Sequence, residues 1–389
     1  MNLEQIRADT PAALGQSFLL SAGASLMPDP VVEAMVEHLR LEQSIGGYGA
    51  ADQQQARLDG VYDSVAALLN ADRDEIALVE NATVAWQMAF YAFDWRAGDR
   101  ILTGQSEYAA NYVAYLQMAK RRGVVIDVVP NDTSGAVDPD ALAAMIDDRV
   151  RLISITWLPT NGGLINPAAA IGQIARDAGV PYLLDACQAV GQMPVDVQAL
   201  GCDMLTGTGR KFLRGPRGTG FLYVRRELLL GLEPPMIDHF GAPWTSTDGY
   251  TLRPDARRFE TWENNYAARL GLGVAADYAC AVGFEAIETR CRMLAGRLRA
   301  GLGDLANVTQ HDLGRDLSAI VSFTVRNQPV RSVLDQAAAA GIVIGASPPT
   351  STRLDSDARG LPFVLRASPH YFNLESDVDR LIAFCAKLA

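Results

Sequence analysis

The chain has 389 residues, of which 49% are hydrophobic and 20% are charged, and it carries a net charge of −11 at pH 7. This composition is typical of a globular protein with a large core and more than one lobe. The negative charge argues against a general nucleic-acid surface, because such binding requires clustered positive charge.

The first part of the chain predicts neither a targeting signal nor a membrane segment. Residues 1–20 contain acidic residues and a proline, and they lack the basic start and long apolar run of a signal peptide. No apolar run reaches the roughly 18 residues that a membrane span needs. These observations predict a cytoplasmic protein with no membrane partner.

From about residue 30 onward, helix-like and strand-like segments alternate. "PDPVVEAMVEHLRLEQS" predicts a helix, "DEIALVE" a strand, and "NATVAWQMAFYAF" the helix that follows. Further strands are predicted by short apolar runs that end in polar or small residues: "DRILTG", "VVIDVVP", "RLISITW", "PYLLDA" and "DMLTGTG". Helical segments such as "PDALAAMIDD" and "AAAIGQIARDAG" separate these runs. The order predicts an α/β domain.

The last third of the chain has a different order of elements. A long helical region precedes the strand-like "AIVSFTV", a helix near "SVLDQAAAAG", the strand-like "FVLRASPHYFN" and a final helix. This order predicts a smaller α+β domain. We therefore predict an N-terminal segment at residues 1–20, a large domain at 21–265 and a small C-terminal domain at 266–389.

The cysteines do not predict a disulfide framework or a metal site. They are scattered along the chain without CxxC spacing. The five are Cys187, Cys202, Cys280, Cys291 and Cys385. We therefore expect no structural metal.

The chain has only three lysines, and one of them lies in an unusual segment. Lys120 lies at a charged helix end and Lys387 lies near the C-terminus, so both have ordinary explanations. Lys211 lies in the glycine-rich "TGTGRKFLRGPRGTGFLYV", next to Arg210. Burial and a like-charged neighbour both lower the pKa of a lysine, as a lysine that condenses with an aldehyde requires. The alternative is an ordinary surface loop lysine.

Two further segments supply complementary groups. Asp185 ends the strand-like part of "PYLLDACQAVG", where a carboxylate can hold the pyridine nitrogen of pyridoxal phosphate protonated. In "VENATVAWQMAF" a helix begins near Ala82, so free backbone N–H groups and the Thr83 hydroxyl can receive a phosphate. Each segment alone is also consistent with an ordinary helix cap. Together with Lys211 they match the requirements of pyridoxal phosphate.

These segments resemble those of fold-type I pyridoxal-phosphate enzymes of the class V aminotransferase and cysteine desulfurase superfamily. "DACQAVG" and "TGTGRKFLRGPRGTGFLYV" are the most specific, and the resemblance extends from "LLSAGASLMP" to "VLRASPHYFNLESDVDRL". It implies a large domain with a mixed, mostly parallel seven-stranded sheet and a smaller α+β C-terminal domain. It also implies a homodimer with the active site at the subunit interface.

The resemblance implies a role for individual residues. Lys211 would carry the cofactor aldehyde, Asp185 would pair with the pyridine nitrogen, and Gln188 would approach the ring hydroxyl. The implied phosphate ligands are Ala82, Thr83, Thr208 and Arg210. Tyr108 of "SEYAAN" occupies the column of the ring-stacking histidine, Asn161 of "PTNGGLINP" would lie near the cofactor, and Arg366 would bind the substrate carboxylate.

Two departures from the desulfurase pattern bear on the reaction. The region that carries the sulfur-accepting cysteine in those enzymes reads "GIVIGASPPTSTRLDSDARGLP" here, without a cysteine. In "RFETWEN", Glu263 falls in the column of a threonine that the dimer mate contributes. A carboxylate there would repel the cofactor phosphate. On these grounds we predict that the chain is not a persulfide-forming cysteine desulfurase.

Within the superfamily, four segments are most similar to ergothioneine-pathway lyases that act on hercynylcysteine sulfoxide: "GRKFLRGPRGTGFLYV", "EYAAN", "PTNGGLINP" and "STRLD". This similarity predicts β-elimination of a cysteine S-conjugate or its sulfoxide, giving pyruvate and ammonia. A class V aminotransferase and an amino-acid racemase or epimerase are the alternatives. A nucleotide-binding loop is disfavoured, since the glycine spacing matches neither common phosphate-loop motif.

Overall fold

Short elements and three helices precede the main sheet in the computed structural model, which describes residues 1–388. The chain begins with α1 (Leu3–Ala8) and β1 (Ser17–Phe18), followed by α2 (Asp29–Ile45), α3 (Gly47–Gln53) and α4 (Gln55–Leu69). A proline within the first turn of α2 fits its start, because proline has the backbone angle of a helix and no N–H to leave unpaired.

The large domain is built on a seven-stranded sheet. Its strands are β2 (Ile76–Val79), β3 (Arg100–Thr103), β4 (Val125–Val128), β5 (Val150–Thr156), β6 (Tyr182–Asp185), β7 (Met204–Thr208) and β8 (Gly220–Val224), in the spatial order β2-β8-β7-β6-β5-β3-β4. Only β8 runs antiparallel to its neighbours β2 and β7. The prediction of a mixed, mostly parallel seven-stranded sheet is therefore confirmed.

Helices cover both faces of this sheet. They are α5 (Ala82–Phe90), α6 (Ala109–Arg122), α7 (Pro139–Met145), α8 (Ala168–Ala178), α9 (Val197–Leu200) and α10 (Arg226–Leu229). Consecutive residues of β6 enter different clusters, Leu183 on one face and Leu184 on the other. Burial on both faces explains why the central strands read as continuous apolar runs. A short hairpin follows, β9 (Trp244–Ser246) and β10 (Gly249–Tyr250).

The C-terminal part contains long helices and a four-stranded antiparallel sheet. Its elements are α11 (Tyr266–Val282), α12 (Phe284–Gly303), β11 (Val308–Gln310), β12 (Val321–Val325), α13 (Val330–Ala339), β13 (Ile342–Val343), β14 (Gly345–Ser347), α14 (Arg353–Arg359), β15 (Val364–Ala367) and α15 (Glu375–Ala386). The sheet order is β11-β12-β15-β14, and β13 pairs in parallel with β1. The boundaries near residues 20 and 265 stay predictions.

No single helix within residues 1–388 has the length and apolar character needed to cross a membrane. Helices α11 and α12 meet that requirement only when taken together, and they are bent by 82° relative to each other.

Candidate active site

The candidate site lies where parallel strands of the large sheet end. Thr156 at the end of β5 pairs with Asp185 at the end of β6, and Asp185 pairs with Thr206 of β7. Because the carboxyl ends of parallel strands meet at one edge of a sheet, residues that follow β3, β5, β6 and β7 converge there. The predicted site residues come from these strand ends and from β15.

Asp185 is buried, and hydrogen bonds hold both oxygens of its carboxylate. Oδ1 accepts from the backbone N–H of Cys187 at 3.0 Å, and Oδ2 accepts from Asn111 Nδ2 at 3.1 Å. The side chain is 7% exposed. Its direction is therefore set by the protein itself.

Lys211 follows β7 in a tight turn close to Asp185. The turn is closed by a 3.0 Å hydrogen bond from the N–H of Arg214 to the Lys211 carbonyl, and Arg214 adopts a left-handed backbone with φ of 63°. Burial lowers the pKa of the Lys211 amine. Cys187 and Asp185 oppose that shift, while Arg210 and Arg366 add to it. The neutral, nucleophilic form of this amine is therefore more accessible than that of a solvent-exposed lysine.

Tyr108 and Arg210 face the same site as Lys211. Tyr108 is the residue that precedes α6, and burial followed by the charge of Asp185 raises the pKa of its hydroxyl. The Arg210 guanidinium donates to the backbone carbonyl of Gly23. Its positive charge lowers the pKa of both Tyr108 and Lys211, so the three side chains lie within electrostatic range of one another.

Arg366 enters the site from β15 and is held by a residue that follows β5. Its Nη1 donates to the Thr160 carbonyl at 2.7 Å and to Thr160 Oγ1 at 2.5 Å. Burial lowers the pKa of Arg366 to about 10, yet its Nε is buried without a partner. Gln188 donates to the same Thr160 hydroxyl at 3.3 Å, and its Oε1 also lacks a partner.

Three of the predicted phosphate ligands lie where the start of α5 meets the ends of β7 and β8. Asn81 caps α5 by accepting from the N–H of Val84, which leaves the first backbone N–H groups of this helix, at Ala82 and Thr83, for another acceptor. Thr208 at the end of β7 pairs with Gly220. A Cβ atom on Gly220 would lie 2.6 Å from the Ala82 nitrogen, so the helix start packs directly against this strand.

Asn161 is buried, and its side chain contacts a residue of the C-terminal part of the chain. Its Nδ2 donates to Asp355 Oδ2 at 2.8 Å, and Asp355 also pairs with Arg359 at 3.1 Å. Asn161 thus links α14 to the segment that follows β5 through this hydrogen bond. Its predicted place near the cofactor stays a prediction.

Three residues of the site were not identified from the sequence. Thr160 joins Arg366 to Gln188, and Asn111 joins Asp185 to Glu107. Glu107 and Asn111 lie in the segment "SEYAAN", from which only Tyr108 was selected. Both are polar residues within three positions of the selected Tyr108, where α6 begins, and this was the available signal.

The residues present fit bound pyridoxal phosphate. Lys211 offers a buried amine of lowered pKa, and the unpartnered Oε1 of Gln188 and Nε of Arg366 are buried polar atoms that need ligands. Within residues 1–388 no group of three or more His, Cys, Asp or Glu side chains is placed to hold a metal ion. The lysine, the carboxylate and the helix start match the aldehyde, ring nitrogen and phosphate of the cofactor.

The chain is similar in sequence to a known enzyme family and to cysteine desulfurases. The family model described as aminotransferase class-V matches residues 17–381. A probable cysteine desulfurase from Methanothermobacter thermautotrophicus is 30% identical over 389 residues, covering 98% of this chain and 96% of the relative.

The fold is also similar to the solved structures of a cysteine desulfurase and of C-DES. The apo structure of a cysteine desulfurase from Thermococcus onnurineus NA1 superposes with a TM-score of 0.91 at 25% identity, covering 99% of this chain and 97% of that one. A mutant of C-DES with glycine covalently linked to its pyridoxal-phosphate cofactor has a TM-score of 0.88 at 22% identity, covering 98% and 99%. The predicted fold-type I architecture and the predicted cofactor are confirmed.

The comparisons overturn the predicted reaction. We predicted β-elimination to pyruvate and ammonia, and we excluded a persulfide-forming cysteine desulfurase because the segment before Arg366 lacks a cysteine. That prediction is wrong, since the relative at 30% identity and the solved structure at 25% identity, which match over nearly their whole length, are cysteine desulfurases. The closer similarity to ergothioneine-pathway lyases is not supported. One absent cysteine removes one sulfur-accepting group and leaves the rest of the site unchanged.

Proposed function

Since the chain belongs to the aminotransferase class-V family and is a pyridoxal-phosphate enzyme, we propose that it removes sulfur from cysteine or a close derivative of cysteine. The observation that carries this proposal is the buried guanidinium of Arg366, whose Nε has no partner, in the same site as Lys211. A guanidinium with free donors is suited to an amino-acid carboxylate. The similarity to cysteine desulfurases supports removal of sulfur as the reaction.

Each side chain has a defined task in this proposal. Pyridoxal phosphate would supply an electron sink for the α-carbon of the amino acid when bound. Arg366 binds the α-carboxylate, Asp185 holds the ring nitrogen protonated, and Tyr108 packs on the ring. Lys211 would hold the cofactor aldehyde, and its Nζ would accept and return the Cα proton of the bound amino acid. Thr160 keeps Arg366 in place through the hydrogen bonds to Nη1.

The sulfur needs an acceptor, and we propose that an external thiol receives it. Residues 341–362 contain no cysteine. Cys187 lies next to the site, but burial and the charge of Asp185 raise the pKa of its thiol well above the usual value, so the nucleophilic thiolate is disfavoured. The reaction then balances without an oxidant: cysteine and an acceptor thiol give alanine and the persulfide of that thiol.

Product analysis tests this proposal. The loaded enzyme is incubated with L-cysteine and a thiol, and alanine, sulfide, pyruvate and keto acids are measured. We expect alanine and sulfide in equal amounts, because excess thiol reduces the persulfide, and neither in the Lys211→Ala variant. Pyruvate with ammonia, or a keto acid formed by amino transfer, would contradict a desulfurase.

Two cysteine variants test where the sulfur goes. Cys187→Ala should keep the rate of alanine formation, and Cys280→Ala, which changes an exposed cysteine, is the matched control. Loss of alanine formation in a folded, cofactor-loaded Cys187→Ala enzyme, with Cys280→Ala unaffected, would place the acceptor on the protein. That result would reject the external thiol and leave the desulfurase proposal intact.

We also propose that the enzyme is a homodimer. Large apolar side chains are exposed on the hairpin and nearby segments, with Trp244 75%, Tyr250 50% and Trp262 44% exposed. Clusters of exposed aromatic residues are typical of protein interfaces. The molar mass in solution, measured by light scattering, tests this, and a mass of 41.9 kDa at micromolar concentration would contradict it.

A further inference from the structure

A single amide nitrogen connects two buried carboxylates behind the site. Asn111 Nδ2 donates to Glu107 Oε1 at 2.9 Å and to Asp185 Oδ2 at 3.1 Å. Asn111 is only 3% exposed. An amide NH₂ group has two protons, so these two bonds use its full donor capacity. The bridge joins helix α6 to the end of β6.

Glu107 is held more firmly than Asp185. Its Oε2 accepts from the Thr103 hydroxyl at 3.0 Å and from the Thr156 N–H at 3.2 Å. Its Oε1 accepts from the Tyr108 N–H at 2.8 Å, from Asn111 and from the Thr156 hydroxyl. The donors come from β3, β5 and α6, so Glu107 is fixed relative to the sheet. It serves as the anchor of the bridge.

The bridge leaves Asp185 few other orientations. Its Oδ1 is occupied by the N–H of Cys187 and its Oδ2 by Asn111, so rotation of the carboxylate breaks at least one bond in a buried place. A side chain held in this way before ligand binding needs no reorganisation when the ligand arrives. Its remaining lone pairs are available to the site.

We propose that Asn111, anchored by Glu107, is a positioning residue that keeps Asp185 directed at the ring nitrogen of bound pyridoxal phosphate. This rests on the proposed role of Asp185 and extends it by two residues that do not touch the cofactor. Burial raises the pKa of Glu107 to about 7, and the charge of Asp185 adds to that shift, so the two carboxylates are electrostatically coupled. The Asn111 amide lies between the two carboxyl groups and donates to both.

The test uses Asn111→Leu, whose side chain has the same number and branching of heavy atoms and no hydrogen-bond donor. We expect the apoenzyme to fold and the visible absorption of the loaded enzyme to change. We expect the dissociation constant of pyridoxal phosphate to rise about tenfold, because a lost hydrogen bond to a charged group weakens binding by about that factor. We expect kcat to fall about tenfold with KM within threefold of wild type, since the amino acid itself is bound by Arg366.

Two further variants separate positioning from a purely structural role. Asn307→Ala removes a half-buried amide of the small domain that bonds the carbonyls of Cys385 and Leu388, and it should change neither cofactor affinity nor absorption. If Asn111→Leu does not fold, Asn111→Ser is used in its place. Its hydroxyl can donate to only one carboxylate at a time, so a smaller change in the same direction is expected.

The measurements distinguish a failure of the positioning role of Asn111 from a failure of the cofactor site itself. An Asn111 variant with wild-type affinity, absorption and kcat overturns the proposal, and so does one that lowers apoenzyme stability while leaving cofactor affinity and absorption unchanged. A wild-type protein that does not bind pyridoxal phosphate at all would instead contradict the assignment of the site. Weaker cofactor binding and altered absorption in a stable apoenzyme support the bridge.

Discussion

His370 and Phe212 are joined by a hydrogen bond of 2.6 Å between the imidazole Nε2 and the backbone carbonyl oxygen. A carbonyl oxygen only accepts, so Nε2 carries the proton and donates. The other ring nitrogen, Nδ1, lies 3.4 Å from Cys291 Sγ and accepts from that thiol. Because Phe212 follows Lys211 directly, a residue that follows β15 holds the turn that carries the lysine.

Removing this bond should destabilise the protein. We expect His370→Ala to lower the free energy of unfolding by about 3 kcal/mol, because a fully buried ring and its hydrogen bond are lost. Urea denaturation of the apoenzyme measures this. His239→Ala, which changes an exposed histidine, should stay within about 0.5 kcal/mol of wild type. Equal effects of the two substitutions would show that the bond contributes little.

The same histidine predicts how stability depends on pH. Burial, followed by the charge of Arg214, lowers the pKa of His370 to about 3, against about 6.5 in an unfolded chain. As the pH falls, His370 is therefore protonated in the unfolded chain before it is protonated in the folded chain. The stability that the neutral, buried His370 contributes is complete above pH 6.5 and is lost as the pH falls toward 3. Between pH 7 and pH 5, wild type should lose about 1 to 2 kcal/mol more than His370→Ala. Equal losses would contradict the lowered pKa.

Lys211 should be the residue that holds the cofactor covalently. Borohydride reduction of the loaded enzyme followed by peptide mapping should find the adduct at Lys211, because its buried amine has a lowered pKa. Lys120, in the last turn of α6, is the internal control and should stay unmodified at one equivalent of cofactor. An adduct mainly at Lys120 would end this assignment.

Arg366 should act mainly on substrate binding. Arg366→Lys loses the unpartnered Nε donor and the fork geometry, so we expect KM for the amino acid to rise about 10- to 100-fold, with a smaller change in kcat. Arg297→Lys, in an exposed pair with Asp379, should leave both constants unchanged. Steady-state kinetics of alanine formation measures them, and an unchanged KM in Arg366→Lys would rule out the carboxylate role.

Gly220 tests the predicted phosphate end of the site. A Cβ atom there would lie 2.5 Å from the Asn81 carbonyl carbon and 2.6 Å from the Ala82 nitrogen, so Gly220→Ala must push the start of α5 away from β8. We expect weaker binding of pyridoxal phosphate by about tenfold, given a cost of about 1 to 3 kcal/mol for overpacking. Gly296→Ala on α12, where the added methyl meets open space, should not weaken it. Equal affinities in the two variants would argue against a phosphate site at α5.

Local sequence determined much of the fold and of the cofactor chemistry. Apolar runs that end in polar residues predicted the strands that became β2 to β7, because a strand buried on both faces needs continuous apolar side chains. The rarity of lysine drew attention to Lys211, and the strand that ends at Asp185 supplied its partner. The strand predictions and the cofactor prediction both depended on short segments, whose residue pattern can be interpreted without knowing which distant residues they contact.

The tertiary structure alone decided which distant side chains meet. Asn111 and Asp185 are 74 residues apart, and Thr160 and Arg366 are 206 residues apart, yet each pair is hydrogen-bonded in the site. The antiparallel direction of β8 and the contact of Asn161 with Asp355 likewise arise from packing between remote elements. The predicted reaction was wrong for a different reason. It gave decisive weight to one absent cysteine, whereas the motifs around Lys211 and Asp185 serve a cofactor that supports many reactions and do not by themselves select one.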